Sequence, residues 1–280
     1  MDVDLDDVRE ARELLAGARC VLFDFDGPIC RLFPNGSSRS VARGLVSKID
    51  EQGFQKMLKP DQRTDDDPHA VLGAVYQARQ RWDVGGLLPL LEGMVTKGEL
   101  KAANDAVDDN WGTPGADGLI KMLSGRRVRL AVVTNNSPWA ADLYLRRTSL
   151  RRYFEFVHGR TTDLGLMKPD PDVLTRALRS LKLRPQDAVM IGDTGTDVEA
   201  ANRAGVRFLG YGRNKRKVTG LRGAGAETVV SSYLPLIDKE RGAGVSEPLG
   251  RSVSPAAAPS PPPTGASQRQ GTGCPRCRRA

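Results

Sequence analysis

Residues 20 to 30 read CVLFDFDGPIC, an apolar run that stops in two carboxylates and then turns at a glycine and a proline. Val21, Leu22 and Phe23 form the near-continuous hydrophobic stretch expected of a strand covered on both faces by helices, which is the mark of a parallel sheet. Asp24 and Asp26 flank Phe25, and in an extended chain a spacing of two directs both side chains to one side. Two carboxylates about 4 Å apart repel by roughly 4 kcal/mol at an effective dielectric near 20. A bound cation, a shared proton or full solvent exposure would each relieve that repulsion.

Upstream, Val3, Leu5, Val8, Ala11, Leu14 and Leu15 recur loosely at helical intervals and predict a short packing helix over 3–16. Downstream, Pro34, Asn35 and Gly36 signal a turn, with Ser38 or Ser40 available to cap a helix. From there to about Trp111 the pattern is helical, with no strand signal. Val41, Leu45, Val46, Ile49, Phe54, Met57 and Leu58 make one set. A second helix opens after Asp67-Pro68, with proline at its preferred first position, and a third spans Leu87 to Val107. An all-helical block of about 75 residues between two strand signals is too long for a loop and predicts an inserted domain.

The strand signal returns at Arg127 to Thr134, after a helical stretch from Ala116 to Leu123, and again stops in polar residues, Thr134, Asn135 and Asn136. Ser137-Pro138 opens a helix, Tyr153 to Val157 reads as a short strand, and Asp170-Pro171 starts another helix. Asp187 to Asp193 (DAVMIGD) follows as a third apolar strand ending in a carboxylate. Thr194 to Ala204 is a helix closed by Gly205, and Val206 to Tyr211 and Glu227 to Val230 are strand-like. The alternation predicts an α/β fold, a doubly wound, Rossmann-like parallel sheet with right-handed crossovers.

The chain has 280 residues, a net charge of +8 and a sequence pI near 9.5. Residues 241 to 280 carry six arginines against one glutamate, which leaves a net of +3 for the first 240. Seven prolines, six glycines and no aromatic residue in that stretch predict a disordered tail over 239–280. With most of the excess charge there, the folded part gives no sign of a nucleic-acid partner. No apolar run is long enough to span a membrane, and the acidic amphipathic start does not resemble a secretory signal, so the expected compartment is the cytoplasm. Cys20, Cys30, Cys274 and Cys277 are too few and too unevenly placed for a disulfide framework, and Cys274-Pro-Arg-Cys277 lacks two further zinc ligands. Free thiols are expected.

In an open parallel sheet the carboxyl ends of the strands share one edge, where ligands bind at the topological switch point. Asp24 and Asp26, Thr134 and Asn135, and Asp193 should therefore converge. Helix N-termini at Ser137, near Gly195 and at Asp170 would face the same edge with unpaired N–H groups, favouring an anion, phosphate being the simplest. Asp24, Asp26, Asp193 and Asp197 beside such an anion call for a divalent cation, and an all-oxygen site suits Mg²⁺. Asp197 alone also fits a capping box with Thr194. Lys168 is placed to balance the remaining charge and hold the attacking carboxylate and phosphoryl group together.

Taken together, DFDGP at Asp24 to Pro28, VVTNN at Val132 to Asn136, MKPDP at Met167 to Pro171 and GDTGTD at Gly192 to Asp197 resemble the haloacid dehalogenase superfamily, in its phosphoglycolate phosphatase-like subgroup with an inserted helical cap. The likeness covers residues 18 to 235. It implies a core over 1–31 and 113–238, a cap over 32–112, and Mg²⁺-dependent hydrolysis of a small phosphorylated metabolite. By that resemblance Asp24 is the nucleophile that forms an aspartyl-phosphate, and Asp26 the general acid/base. Thr134 and the Asn135 backbone hold phosphoryl oxygens, Lys168 stabilises Asp24, and Asp193 binds Mg²⁺ with Asp24 and the Asp26 carbonyl, Asp197 being an additional or outer ligand. The family usually has threonine or serine where this chain has Pro28, so a hydroxyl and an N–H beside Asp26 are absent. A phosphomutase with the same carboxylates, or a binding or regulatory module using the basic tail, are the alternatives. The oligomeric state is not legible.

Overall fold

The computed structural model describes residues 5–237. The tail predicted at 239–280, with its Cys274 and Cys277, lies outside the described residues.

Six parallel strands form one sheet in the order β3-β2-β1-β4-β5-β6. They are β1 (Cys20–Phe23), β2 (Arg129–Val133), β3 (Phe156–His158), β4 (Ala188–Gly192), β5 (Arg207–Tyr211) and β6 (Val229–Val230). The first strand is central. It pairs with β2 on one side, where Phe23 faces Val132, and with β4 on the other, where Phe23 faces Ile191. The order reverses beside β1, so its C-terminal end is the switch point of the sheet.

Side-chain alternation along β1 builds two cores. Val21 and Phe23 pack on one face with α1 (Leu5–Ala16), α6 (Ala116–Gly125) and α7 (Pro138–Arg147). Cys20 and Leu22 pack on the other with α8 (Asp172–Leu181) and α9 (Gly195–Ala204). Burial on both faces explains why the strand reads as an unbroken apolar run.

Between β1 and β2 the chain forms only helices: α2 (Ser38–Glu51), α3 (Pro60–Arg63), α4 (Pro68–Ala78) and α5 (Leu87–Asp108). They enclose a hydrophobic cluster of their own, with Leu45 and Ile49, Leu72 and Val75, and Leu91 and Val95 facing one another. The 22-residue α5 belongs to two cores. Its first half packs in the helical cluster, whereas Ala102, Ala103 and Ala106 belong to the sheet-side core and let the helix lie close to α7. Among the described residues, no helix is long and apolar enough to cross a membrane.

Several local expectations shift. The strand expected over 153–157 is displaced to Phe156–His158, because 151–153 forms a 3₁₀ turn held by Arg151, whose Nη1 donates to Phe154 O at 2.6 Å. The helix expected from Asp170-Pro171 starts at Asp172, since Asp170 Oδ1 accepts the Asp172 N–H at 2.9 Å and holds the preceding residues in a turn. One helix was not anticipated, α10 (Lys215–Gly223), capped by Asn214 and burying only Leu221, too little apolar surface to give a period.

Candidate active site

At the end of β1 the Asp24 N–H still bonds to Ile191 O at 2.8 Å, so the nominal strand end leaves this residue in the sheet's register. Its carboxylate is buried, with Oδ1 2.9 Å from Lys168 Nζ. Burial pushes this carboxyl up to about 6, opposed by the Lys168 ammonium and reinforced by Asp197 and Asp193. Asp26 sits in the following turn, where Oδ1 accepts the Leu32 N–H at 2.8 Å. Its carboxyl also rises to about 6, chiefly by burial and against the pull of that N–H. Pro28 offers neither hydroxyl nor N–H, and the Leu32 amide orients Asp26.

Gly27 lets this turn approach β4. Its φ is +112°, and a Cβ there would overlap the Asp193 carboxylate. Gly27→Ala is therefore expected to cost about 2 kcal/mol from the left-handed strain alone, read as a lowered thermal midpoint, and to displace Asp193; an unchanged midpoint would contradict it.

Thr134, at the end of β2, is buried, and its Oγ1 donates to Asn136 Oδ1 at 2.9 Å. Asn135 clamps the loop that carries Lys168: Nδ2 donates to Lys168 O at 3.0 Å, and Oδ1 accepts the Lys168 N–H at 2.8 Å. Lys168 Nζ then reaches Asp24 and, at 2.6 Å, Asp197 Oδ1. Burial works against this ammonium, but Asp197 and Asp24 outweigh it and hold the pKa above the ordinary lysine range.

The last carboxylates come from β4 and α9. Asp193 Oδ2 lies 2.7 Å from Lys217 Nζ, and burial raises the Asp193 carboxyl to about 6 against that partner. Asp197 Oδ2 accepts from the Asp193 N–H, the Thr194 N–H and the Thr194 hydroxyl at 3.1, 3.0 and 2.7 Å. It is at once the reciprocal member of the capping box that Thr194 opens on α9 and a partner of Lys168, which holds its pKa down despite burial. Asp24, Asp193 and Asp197 each place one carboxylate oxygen within 4.8 Å of the others. Three buried carboxylates against two ammoniums leave an excess negative charge, and an all-oxygen donor set fits a hard divalent cation. Asp26 is not in that cluster through its side chain, whose Oδ1 is engaged by Leu32.

All seven residues singled out from the sequence, Asp24, Asp26, Thr134, Asn135, Lys168, Asp193 and Asp197, line one cavity of about 460 Å³. The helical insertion contributes Ser38 and the segment Asp67 to Ala70 to the same cavity. At the helix starts expected at Ser137 and near Gly195, the amides just ahead of α7 and α9 are engaged within the protein. Ser137 N donates to Glu99 Oε2 at 2.9 Å, and the Asp193 and Thr194 amides donate to Asp197.

Glu99 is a residue the sequence reading missed. It lies on α5, fully buried, and accepts from Ser137 N, from Asn136 Nδ2 at 3.2 Å, from His69 Nε2 at 2.7 Å and from Arg160 at 2.9 and 3.2 Å. Burial opposes its ionisation, but Arg160 and His69 prevail and hold it down to about 2. Arg160 Nη1 also donates to Asn135 O at 2.9 Å. The helical insertion thus grips the loop that follows β2 through one carboxylate. A signal was present: Val95, Glu99, Ala102, Ala103 and Ala106 share one helical stripe, and a charge on a buried stripe demands partners. Arg160 and Lys217 gave no such signal.

Residues 99–211 match the model of the haloacid dehalogenase-like hydrolases. The chain is 34% identical over 232 residues to the phosphoglycolate phosphatase of Rhodospirillum rubrum, covering 79% of this chain and 90% of that one. It is 37% identical over 103 residues to phosphoglycolate phosphatase 1 of Pseudomonas aeruginosa, where the matched stretch spans only 36% of this chain and 38% of the relative. In fold it resembles the crystal structure of CbbY from Rhodobacter sphaeroides in complex with phosphate, with a TM-score of 0.54 and 18% identity over 79% of this chain and 99% of that one.

Proposed function

Because the chain belongs to the haloacid dehalogenase-like hydrolase family, we propose that it is a Mg²⁺-dependent phosphatase, hydrolysing a small phosphate monoester through an aspartyl-phosphate. The observation that carries this is Asp24, held at the switch point of the sheet with Lys168 Nζ at 2.9 Å and with Asp193 and Asp197 oxygens within 4.8 Å. A carboxylate fixed in this way is available as a nucleophile, and phosphoryl transfer asks mainly for positioning and charge stabilisation.

Asp24 and Asp193, with the Asp26 carbonyl, would hold the cation, Asp197 steadying them from beside Lys168. When bound, Mg²⁺ supplies positive charge to the phosphoryl oxygens and to the carboxylates that would otherwise repel them. Asp24 attacks phosphorus, the ester oxygen departs with the proton of Asp26, and the phosphoryl group rests on the Asp24 carboxylate. Asp26, now ionised, takes a proton from a water that attacks the same phosphorus, releasing inorganic phosphate and freeing Asp24. A pKa near 6 suits a group that must give and regain a proton near neutrality. Thr134 and the Asn135 amide would receive phosphoryl oxygens, and Lys168 would offset charge on both reacting groups.

Phosphate release from 2-phosphoglycolate, sugar phosphates and nucleoside monophosphates, with Mg²⁺ and with chelator, tests the proposal. Turnover on at least one substrate that falls to background with chelator and returns with Mg²⁺ is the expected result. Absence of Mg²⁺-dependent release from every substrate would overturn it.

A further inference from the structure

His69, in the first turn of α4, lines the cavity from the side of the helical insertion, beside Asp67 and with Ser38 on the same wall. One edge of its ring is fixed. Nε2 lies 2.7 Å from Glu99 Oε1, and although burial opposes the ionisation of Glu99, Arg160 and His69 hold that carboxyl down to about 2, so it is an acceptor. Arg160 Nη1 also lies 3.1 Å from Nε2, but its two hydrogens have acceptors in Glu99 Oε1 and Asn135 O, each at 2.9 Å. Nε2 therefore carries a proton and donates it to Glu99, which leaves Nδ1 as the free ring nitrogen.

The open part of the ring is the edge away from Glu99, for the Glu99 side chain is fully buried while that of His69 is 19% exposed. Nδ1 has no hydrogen-bond partner among the described residues. Asp67 Oδ1 is 3.9 Å away and accepts the His69 N–H at 2.8 Å instead. The ring also faces Asp26: burial raises the Asp26 carboxyl, and His69 is among the groups that pull it down, after the Leu32 N–H and Lys217. The groups assigned above to the phosphoryl transfer all come from the sheet edge and its loops. A polar ring nitrogen on the opposite wall, near the acid that meets the departing oxygen, is placed for the alcohol part of the ester.

We propose that His69 Nδ1 hydrogen-bonds a hydroxyl on the alcohol part of the ester, so that His69 selects phosphate monoesters bearing a free hydroxyl next to the ester carbon. This rests on the phosphatase function proposed above. A hydroxyl both donates and accepts, so it matches the Nδ1 lone pair and equally an Nδ1–H. The Asp67 carboxylate, 3.9 Å from Nδ1, disfavours an anionic group at this position and leaves room for a neutral one. Glu99 is the positioning residue: gripped by Arg160 and bonded to Nε2, it sets the rotation of the ring.

The test compares kcat/KM for 2-hydroxyethyl phosphate and for ethyl phosphate, which differ by that hydroxyl, in the wild type, His69→Gln and His69→Asn. The glutamine amide can keep a donor to Glu99 while removing Nδ1, whereas the asparagine amide stands where Nδ1 stood and gives up Glu99. The wild type is expected to favour 2-hydroxyethyl phosphate by about tenfold or more. His69→Gln should bring that ratio close to one with its thermal midpoint near that of the wild type, and His69→Asn should keep more of the ratio despite a lower midpoint. A wild-type ratio near one overturns the proposal. So does a ratio unchanged in His69→Gln, since the ring would then serve only to hold Glu99. If His69→Gln fails to fold by circular dichroism, the wild-type ratio and its retention in His69→Asn carry the same decision. Mg²⁺-dependent turnover of both esters at equal efficiency would sustain the phosphatase function while defeating the role of His69. No Mg²⁺-dependent turnover of these esters or of any other phosphate ester would defeat both.

Discussion

Asp24→Asn is expected to leave a folded protein that releases phosphate at least about a thousandfold more slowly, a loss of about 4 kcal/mol of transition-state stabilisation. The amide has almost the shape of the carboxylate but is a poor nucleophile, so binding surfaces persist while the covalent step fails. Its effect on stability should have the opposite sign. In the metal-free protein Asp24 is buried beside Asp193 and Asp197, and that burial and repulsion lift its pKa to about 6 despite Lys168. Removing that charge leaves Lys168 paired with Asp197 at 2.6 Å. Without Mg²⁺ the thermal midpoint of the variant should therefore be at least that of the wild type. Turnover within tenfold of the wild type would remove Asp24 from the mechanism. A collapse of the midpoint together with activity would mean that the residue is needed for folding instead.

Glu99→Gln is expected to destabilise the protein by roughly 3 kcal/mol at pH 7, because it leaves the buried Arg160 guanidinium with only the more distant Glu92, 3.8 Å from its Nε, as counter-charge. The pH dependence identifies the cause. Glu99 is held down to about 2 from an ordinary value of 4.5, mainly by Arg160 acting against burial. A depressed carboxyl contributes stability that is present above its unfolded-state pKa and lost as the pH falls toward its folded-state value. The gap between wild type and variant, measured by urea unfolding, should be full at pH 7 and shrink between pH 4.5 and 2. A gap that stays constant across that range would show that packing, not charge, is what the substitution disturbs. Because Glu99 also accepts from Asn136 and Ser137, the variant should loosen the loop that presents Thr134 and lower kcat/KM by about tenfold.

Much of the fold was legible because parallel strands are buried on both faces and announce themselves as apolar runs that stop in polar residues. β1, β2 and β4 were placed in this way, and their carboxyl ends fixed the edge on which Asp24, Thr134 and Asp193 meet. Short edge elements were less legible. β3 is three residues long and lies one to three residues beyond its expected place, and α10 buries one leucine, so neither produces a clear period. Pro28 could be recognised as a departure from the family pattern, but that the Leu32 N–H orients Asp26 depends on how the turn closes.

The sequence by itself determined the α/β alternation, the carboxylates and lysine at strand ends and loops, and the helical block between β1 and β2. Each of these is written in local runs and short spacings. Only the tertiary structure decided which charges pair. Lys168 divides itself between Asp24 and Asp197, Lys217 covers Asp193, Glu99 collects Arg160, His69 and the loop after β2, and Arg31 is left on Trp111 without a carboxylate. Those partners are separated by tens of residues in the chain, and their choice is set by which groups lose water together when the insertion and the sheet come into contact. Burial makes each pairing strong and each missing partner costly, and burial is a property of the packed molecule.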